Sequence, residues 1–236
     1  MIRLDKFLCK AGVGSRSEVK LLLKKGLVTV NGNVEKSADI KVNELTDVIM
    51  FGGKSLCYSQ FHYYLLHKPA GVITATEDRR EQTVLSLLKD VPVKNLFPVG
   101  RLDKDTEGLL LITDDGELAH NLLSPKKHVD KTYLVRLKEP ITKEAIEALE
   151  AGVDIGDDTL TMPAAVKKIK DTEIELIIKE GRFHQVKRML TAVGNEVIYL
   201  KRLSMGTLYL PDDLEKGCYR PLTEEELGAL KQEKDV

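Results

Sequence analysis

Apolar residues fall at i, i+3 and i+4 in Leu4, Phe7 and Leu8, which predicts a short helix that stops at Gly12. Ser15-Arg16-Ser17-Glu18 has the spacing of a capping box and opens a second helix through Val19, Leu22 and Leu23, ended by Gly26. The period then changes. Leu27 to Val30 reads as a strand, Asn31-Gly32 as a tight hairpin turn, and the chain returns through Val34. Residues 1–45 thus form a helix-helix-hairpin module. Residues 46–60, with Phe51-Gly52-Gly53-Lys54-Ser55 at their centre, have the composition of a linker.

From residue 61 onward strands dominate. Tyr63 to Leu66 reads as a strand, ended by the turn Lys68-Pro69-Ala70-Gly71. Leu109 to Ile112 are apolar without alternation, as in a strand buried on both faces. In Thr132 to Lys138, Tyr133, Val135 and Leu137 share one face, and Arg136 and Lys138 the other. Thr142 caps a helix through Ile146 and Leu149, and Ile174 to Ile178 is another strand. Val186, Met189, Leu190 and Val193 make one stripe of a helix over 185–193, and Thr223 with Glu226 opens a last one. Strands that outnumber helices without regular alternation predict an α+β fold: a small N-terminal module and a larger, mixed, mostly antiparallel sheet flanked by helices over 61–236.

Composition narrows the picture. With 236 residues, 42% apolar and 31% charged, the chain can bury one large core or two modest ones. It has no apolar run of membrane-spanning length and no signal-peptide core in Met1 to Lys6, so a cytoplasmic protein is expected, with no membrane partner. Cys9, Cys57 and Cys218 lie far apart and the five histidines form no ligand pattern, so free thiols and no metal are expected. Gly52-Gly53-Lys54-Ser55 lacks the spacing of a phosphate loop. No heptad appears, and a monomer is expected.

Charge is near balance overall, at −1, but unevenly spread. Residues 1–30 hold seven Lys and Arg against Asp5 and Glu18, a surplus of +5, while the tail from Thr223 has a surplus of −3. Arg16, Lys20 and Lys24 recur every four residues and share one helix face, a natural partner for phosphate backbone.

The candidate chemistry is concentrated in residues 100–116, where a turn carrying Asp103, Asp105 and Glu107, with Arg101 and Lys104 as counter-charges, runs into the buried strand. An acid fixed on such a strand has the rigid geometry that a nucleophile needs. Spacing alone leaves open a solvated acidic loop with a surface Arg101–Asp103 pair. In the same way, Tyr133 alone reads as a core residue, and Arg182, Lys187 and Arg188, at a helix start, as a basic helix face.

Taken together these strings resemble the small-subunit ribosomal RNA pseudouridine synthases. The resemblance rests on Gly100-Arg101-Leu102-Asp103 with Thr106-Glu107-Gly108-Leu109-Leu110-Leu111, on Lys131-Thr132-Tyr133, and on Glu180-Gly181-Arg182-Phe183-His184-Gln185-Val186-Lys187-Arg188-Met189, in the family's order. It implies Asp103 as the catalytic carboxylate, Tyr133 as the active-site tyrosine against the uracil, Arg182 as the active-site cation, and Leu200 lining the pocket. Arg182 is then expected to pair with Asp103, and Arg101, Lys187 and Arg188 to meet RNA. Residues 1–45 resemble the S-four RNA-binding domain, which implies RNA docking through Arg3, Lys6, Arg16, Ser17 and Lys20. The implied partner is 16S ribosomal RNA within a pre-ribosomal particle. The implied reaction moves a bond within one nucleotide and requires no cofactor. A synthase acting on 23S ribosomal RNA, and a non-catalytic ribosome-assembly factor, remain alternatives.

Overall fold

The computed structural model describes every residue except 45, 57–60, 89, 90, 92, 94 and 233–236. Cys57 and the tail charges Glu233, Lys234 and Asp235 therefore lie outside the described residues, while Cys9 and Cys218 are free thiols. The chain divides into two compact units, residues 1–62 with 90–95, and residues 63–89 with 96–236. Among the described residues no helix is long and apolar enough to cross a membrane.

The first unit runs β1 (Ile2–Arg3), α1 (Leu4–Lys10), α2 (Arg16–Lys24), β2 (Val28–Val30), β3 (Asn33–Val34), β4 (Lys41–Val42), β5 (Ile49–Phe51) and β6 (Lys54–Leu56). Ser15 accepts from the Glu18 amide while Glu18 accepts from the Ser15 amide, so the capping box starts α2 as its spacing predicts. Asn31 and Gly32 both take positive φ and close the β2–β3 hairpin. Leu4, Phe7 and Leu8 of α1 pack with Val19 and Leu23 of α2, Val28 of β2 and Ile49 of β5.

The expected linker over 46–60 is corrected for 46–56, while 57–60 lie outside the described residues. Ile49 belongs to this core, and β5 and β6 extend the sheet in the order β3-β2-β5-β6. Gly52 and Gly53, both at positive φ, form a hairpin turn between them. A Gly-Gly pair flanked by apolar residues is a turn signal as much as a linker signal, and here the flanking residues decide.

The second unit runs β7 (Tyr63–Lys68), β8 (Phe97–Pro98), β9 (Glu107–Thr113), α3 (Gly116–Leu123), β10 (Lys131–Leu137), α4 (Lys143–Ala151), β11 (Ala165–Lys170), β12 (Glu173–Ile178), α5 (Gln185–Ala192), β13 (Val197–Met205), β14 (Leu208–Tyr209), β15 (Tyr219–Pro221) and α6 (Glu224–Gln232). Its sheet has the order β11-β12-β10-β13-β9-β7-β15, with β14 on β13 and β8 on β9. Every pairing is antiparallel except β9 with β13. Strand β9 lies between β13 and β7 and is buried at all seven positions, which accounts for its unbroken apolar run.

Where β9 meets β13 the two backbones approach closely at Gly108, whose φ is +111°. A Cβ there would lie 2.2 Å from the Arg202 carbonyl oxygen, so glycine is required on both counts. This crossing fixes the end of β9 that receives the acidic turn.

Candidate active site

The turn between β8 and β9 is held by its main chain. Thr74, buried, donates its hydroxyl to the Leu102 carbonyl at 2.7 Å and accepts from the Leu102 amide at 3.1 Å. On the other side of Asp103, the Lys68 ammonium donates to the carbonyls of Pro69, Lys104 and Thr106 at 3.0, 3.3 and 2.8 Å. The Gly71 amide donates to the Lys104 carbonyl at 2.8 Å, and Thr106 closes the turn by donating to the Asp103 carbonyl. Lys68 is fully buried. Burial pulls its ammonium down to about 8, against the opposing pull of the Asp105, Asp103 and Glu107 carboxylates. The turn Lys68-Pro69-Ala70-Gly71 therefore buttresses the acidic turn.

Asp103, held in this way, leaves about a quarter of its side chain accessible. Its Oδ2 lies 3.3 Å from the Lys187 Nζ and its Oδ1 3.6 Å from the His184 Nε2. Lys187 also bonds both oxygens of Asp105, at 2.7 and 2.8 Å. Burial lowers the Lys187 pKa, but the hydrogen bond to Asp105 and the charge of Asp103 outweigh it, and the net shift is upward. The hydrogen bond from Lys187 in turn holds Asp105 below the ordinary carboxylate range. The result is one firmly protonated ammonium shared by two carboxylates, of which Asp105 is largely exposed and Asp103 is not.

The expected Arg182–Asp103 pair is thereby corrected. Arg182 donates to Glu180 at 3.0 Å and to the carbonyls of Thr159 and Leu160 at 2.7 Å each, and it lies 3.5 Å from Asp157. Arg182 precedes α5, whereas Lys187 lies in its first turn, three residues after His184 and on the same side. That i, i+3 relation was the available signal for His184 and Lys187 acting together. Two residues expected to meet RNA already have partners within the unit: Lys187 lies on Asp103 and Asp105, and Arg188 on Asp157 and the carbonyls of Ile155 and Phe183. Arg101 is exposed. Lys104 pairs with Glu81, and Glu107 turns inward to accept from Tyr199 at 2.7 Å and pair with Lys216.

Register assembles the neighbouring surface. Tyr133 of β10 faces Arg202 of β13, Arg202 faces Gly108 of β9, and Gly108 faces Lys68 of β7, so one row crosses the sheet beside the turn. Leu200 pairs with Val135, two residues along from Tyr133, and both are buried on the face that carries Tyr133 and Arg202. Arg202 donates its Nε to the Leu109 carbonyl at 2.8 Å. In the first unit Lys6, Arg16, Ser17 and Lys20 are all exposed. Arg3 departs from them: its guanidinium is already held by Asp5 and Asp39.

The family model for RNA pseudouridylate synthase matches residues 62–192, and that for the S4 domain residues 2–49. The chain is 51% identical to the uncharacterized RNA pseudouridine synthase YtzG of Bacillus subtilis (strain 168), over 98% of this chain and 99% of that one. It is 45% identical to ribosomal small subunit pseudouridine synthase A of Vibrio cholerae serotype O1, over 97% and 99%. A crystal structure of a pseudouridylate synthase superposes with a TM-score of 0.69 at 37% identity, covering 98% of this chain and all of the other.

Proposed function

The chain belongs to the RNA pseudouridylate synthase family, and from that premise we propose that it converts one uridine of small-subunit (16S) ribosomal RNA to pseudouridine, with Asp103 as the catalytic carboxylate. The isomerisation breaks the bond between N1 of uracil and C1′ of ribose, turns the base, and joins C5 to C1′. C5 loses its proton to solvent and N1, freed from the ribose, takes one up, so nothing is gained or lost overall. The reaction needs a carboxylate that stays ionised and holds its position while the base turns. The observation that carries the reading is Asp103 itself, on a turn fixed from both sides and charge-matched to Lys187 at 3.3 Å.

A uridine stacked in RNA does not reach a carboxylate at this depth, so the base is flipped out of its stack. Tyr133, on the same sheet row as the start of β9, packs against the flipped uracil, and Leu200 lines the apolar side of that pocket. The exposed cations of α2 draw in the phosphate backbone and position the RNA without reading its sequence. The choice of small-subunit RNA rests on the names and full-length coverage of the relatives. The enzyme acts as a monomer on RNA in an assembling subunit.

The test uses the full-length protein with small- and large-subunit ribosomal RNA transcripts carrying tritium at uridine C5. Tritium release from the small-subunit transcript, with a single new pseudouridine by mass mapping, is expected. Asp103→Asn should abolish release, by at least about 10³-fold, and leave RNA affinity nearly intact. Near wild-type release by Asp103→Asn would overturn the assignment of Asp103. Release from the large-subunit transcript alone would overturn the choice of RNA.

A further inference from the structure

One aromatic ring near Asp103 has no role in the reaction as derived. Phe183 is 75% exposed, the most exposed of the large aromatic side chains in the second unit. An exposed phenylalanine alone is ordinary. This one is held in place. Its ring stacks on the His184 imidazole with centroids 3.8 Å apart and planes 20° from parallel. Its carbonyl accepts from the Arg188 Nη1 at 3.0 Å. On one side of it the Arg182 amide donates to the Gln185 Oε1 at 2.9 Å, and the Gln185 amide donates back to the Arg182 carbonyl at 3.2 Å. His184 takes a left-handed conformation, φ 48°, to bring its ring over Phe183, a backbone cost that non-glycine residues seldom bear without a return.

The same imidazole reaches Asp103, with Nε2 3.6 Å from Oδ1. Carboxylate, imidazole and phenyl ring therefore form a continuous series, and the phenyl ring is its solvent end. We propose that Phe183, stacked on His184, is a platform for a nucleobase of the substrate RNA next to the uridine that enters the site. The proposal rests on the reading of the protein as an RNA uridine isomerase and adds a substrate-binding contact to it. Only a flat conjugated partner extends a parallel ring stack. A nucleobase presents such a face whatever its sequence, and the chain that carries it must pass the carboxylate to deliver the uridine. Displacement of one base from its stack leaves its neighbour with an uncovered face, which a rigid aromatic can cover at little entropic cost.

The experiment compares wild type with Phe183→Ala, Phe183→Leu and Phe183→Tyr in single-turnover tritium release over a range of small-subunit RNA transcript concentrations. Filter binding of the same transcript at three salt concentrations accompanies it. In Phe183→Ala the half-saturating RNA concentration and the Kd should rise roughly tenfold. Phe183→Leu should stay close to alanine and Phe183→Tyr within about twofold of wild type, since stacking needs the ring and not its bulk. The slope of log Kd against log salt should not change, because no charge is removed. Thermal melts should coincide, as the side chain is exposed. Wild-type affinity in Phe183→Ala, or full recovery in Phe183→Leu, overturns the platform. If wild type releases no tritium from either ribosomal RNA, the functional reading fails while the binding series still decides the stacking.

Discussion

The two units of this protein use positive charge in opposite ways. On α2, Arg16, Lys20 and Lys24 share an exposed face and make no ion pair among the described residues. Around the acidic turn, every lysine or arginine of the 182–188 segment is committed: Lys187 to Asp103 and Asp105, Arg182 to Glu180 and Asp157, Arg188 to Asp157. A free cation attracts phosphate at long range and fixes nothing. A paired cation contributes little attraction beyond the pair but fixes two side chains relative to each other. Net charge hides this division, because the paired cations cancel and the unpaired surplus is offset by an acidic C-terminal segment.

The largest expected effect breaks the pairing at its centre. Lys187→Met leaves Asp103 and Asp105 facing each other without the shared ammonium, and kcat should fall about 100-fold with KM for RNA altered much less. Lys187→Arg should restore most of the rate. Arg182→Ala, which removes a cation held away from Asp103, should lower kcat less than Lys187→Met does. Single-turnover rates of the three variants check the order. A larger loss in Arg182→Ala than in Lys187→Met would return Arg182 to the role that the sequence first assigned it.

That reassignment shows where sequence reasoning reaches its limit. The capping boxes, the Asn31-Gly32 turn and the buried strand at 109–112 are local, and their residues announce them. Strand β13 escapes notice because its inward face follows Leu200 with two buried polar residues, Arg202 and Ser204, so the apolar alternation is lost. Helix α3 escapes because Asp114-Asp115-Gly116 reads as a turn, although Asp115 caps the helix by accepting from the Leu118 amide. Asp103 is legible as a fixed acid on a buried strand. Its counter-ion is not, since Arg182 and Lys187 are five residues apart and only the left-handed turn at His184 decides which one faces the carboxylate. Lys68 is likewise hidden, because its bonds go to carbonyls, which leave no trace in side-chain spacing.

Lys68 sharpens the comparison, as a cation kept for geometry at a cost in stability. Its ammonium titrates near 8 when folded and at 10.5 when unfolded. Between these values the unfolded chain binds the extra proton, so stability should rise with pH from about 8 to 10.5; below 8 the penalty is fully present. The span is on the order of 3 kcal/mol. Urea unfolding of wild type and Lys68→Met from pH 7 to 10 should show the gap between them shifting toward wild type as pH rises, by that amount. Lys68→Met should also slow tritium release at pH 7, about tenfold, because the Lys104 and Thr106 carbonyls lose their donor. Parallel stability curves would show that Lys68 carries no buried charge.

The smallest effect tests the free cations directly. Lys20 and Lys138 are both exposed lysines, but Lys138 bonds Glu196 at 2.7 Å and Lys20 makes no such pair among the described residues. If RNA lies along α2, Lys20→Gln removes one phosphate contact. The slope of log Kd against log salt should become shallower by about 0.7 to 0.9, and affinity near 0.1 M salt should fall severalfold. Lys138→Gln removes the same formal charge from the whole protein and should leave the slope unchanged. Limiting rates at saturating RNA should match wild type in both variants, because neither lysine is among the groups that hold the acidic turn. Equal slopes in Lys20→Gln and Lys138→Gln would mean that RNA responds to total charge alone and that the exposed face of α2 has no privileged part in docking. A shallower slope only in Lys20→Gln would locate the phosphate track on α2 and leave the paired cations as scaffolding for the carboxylate.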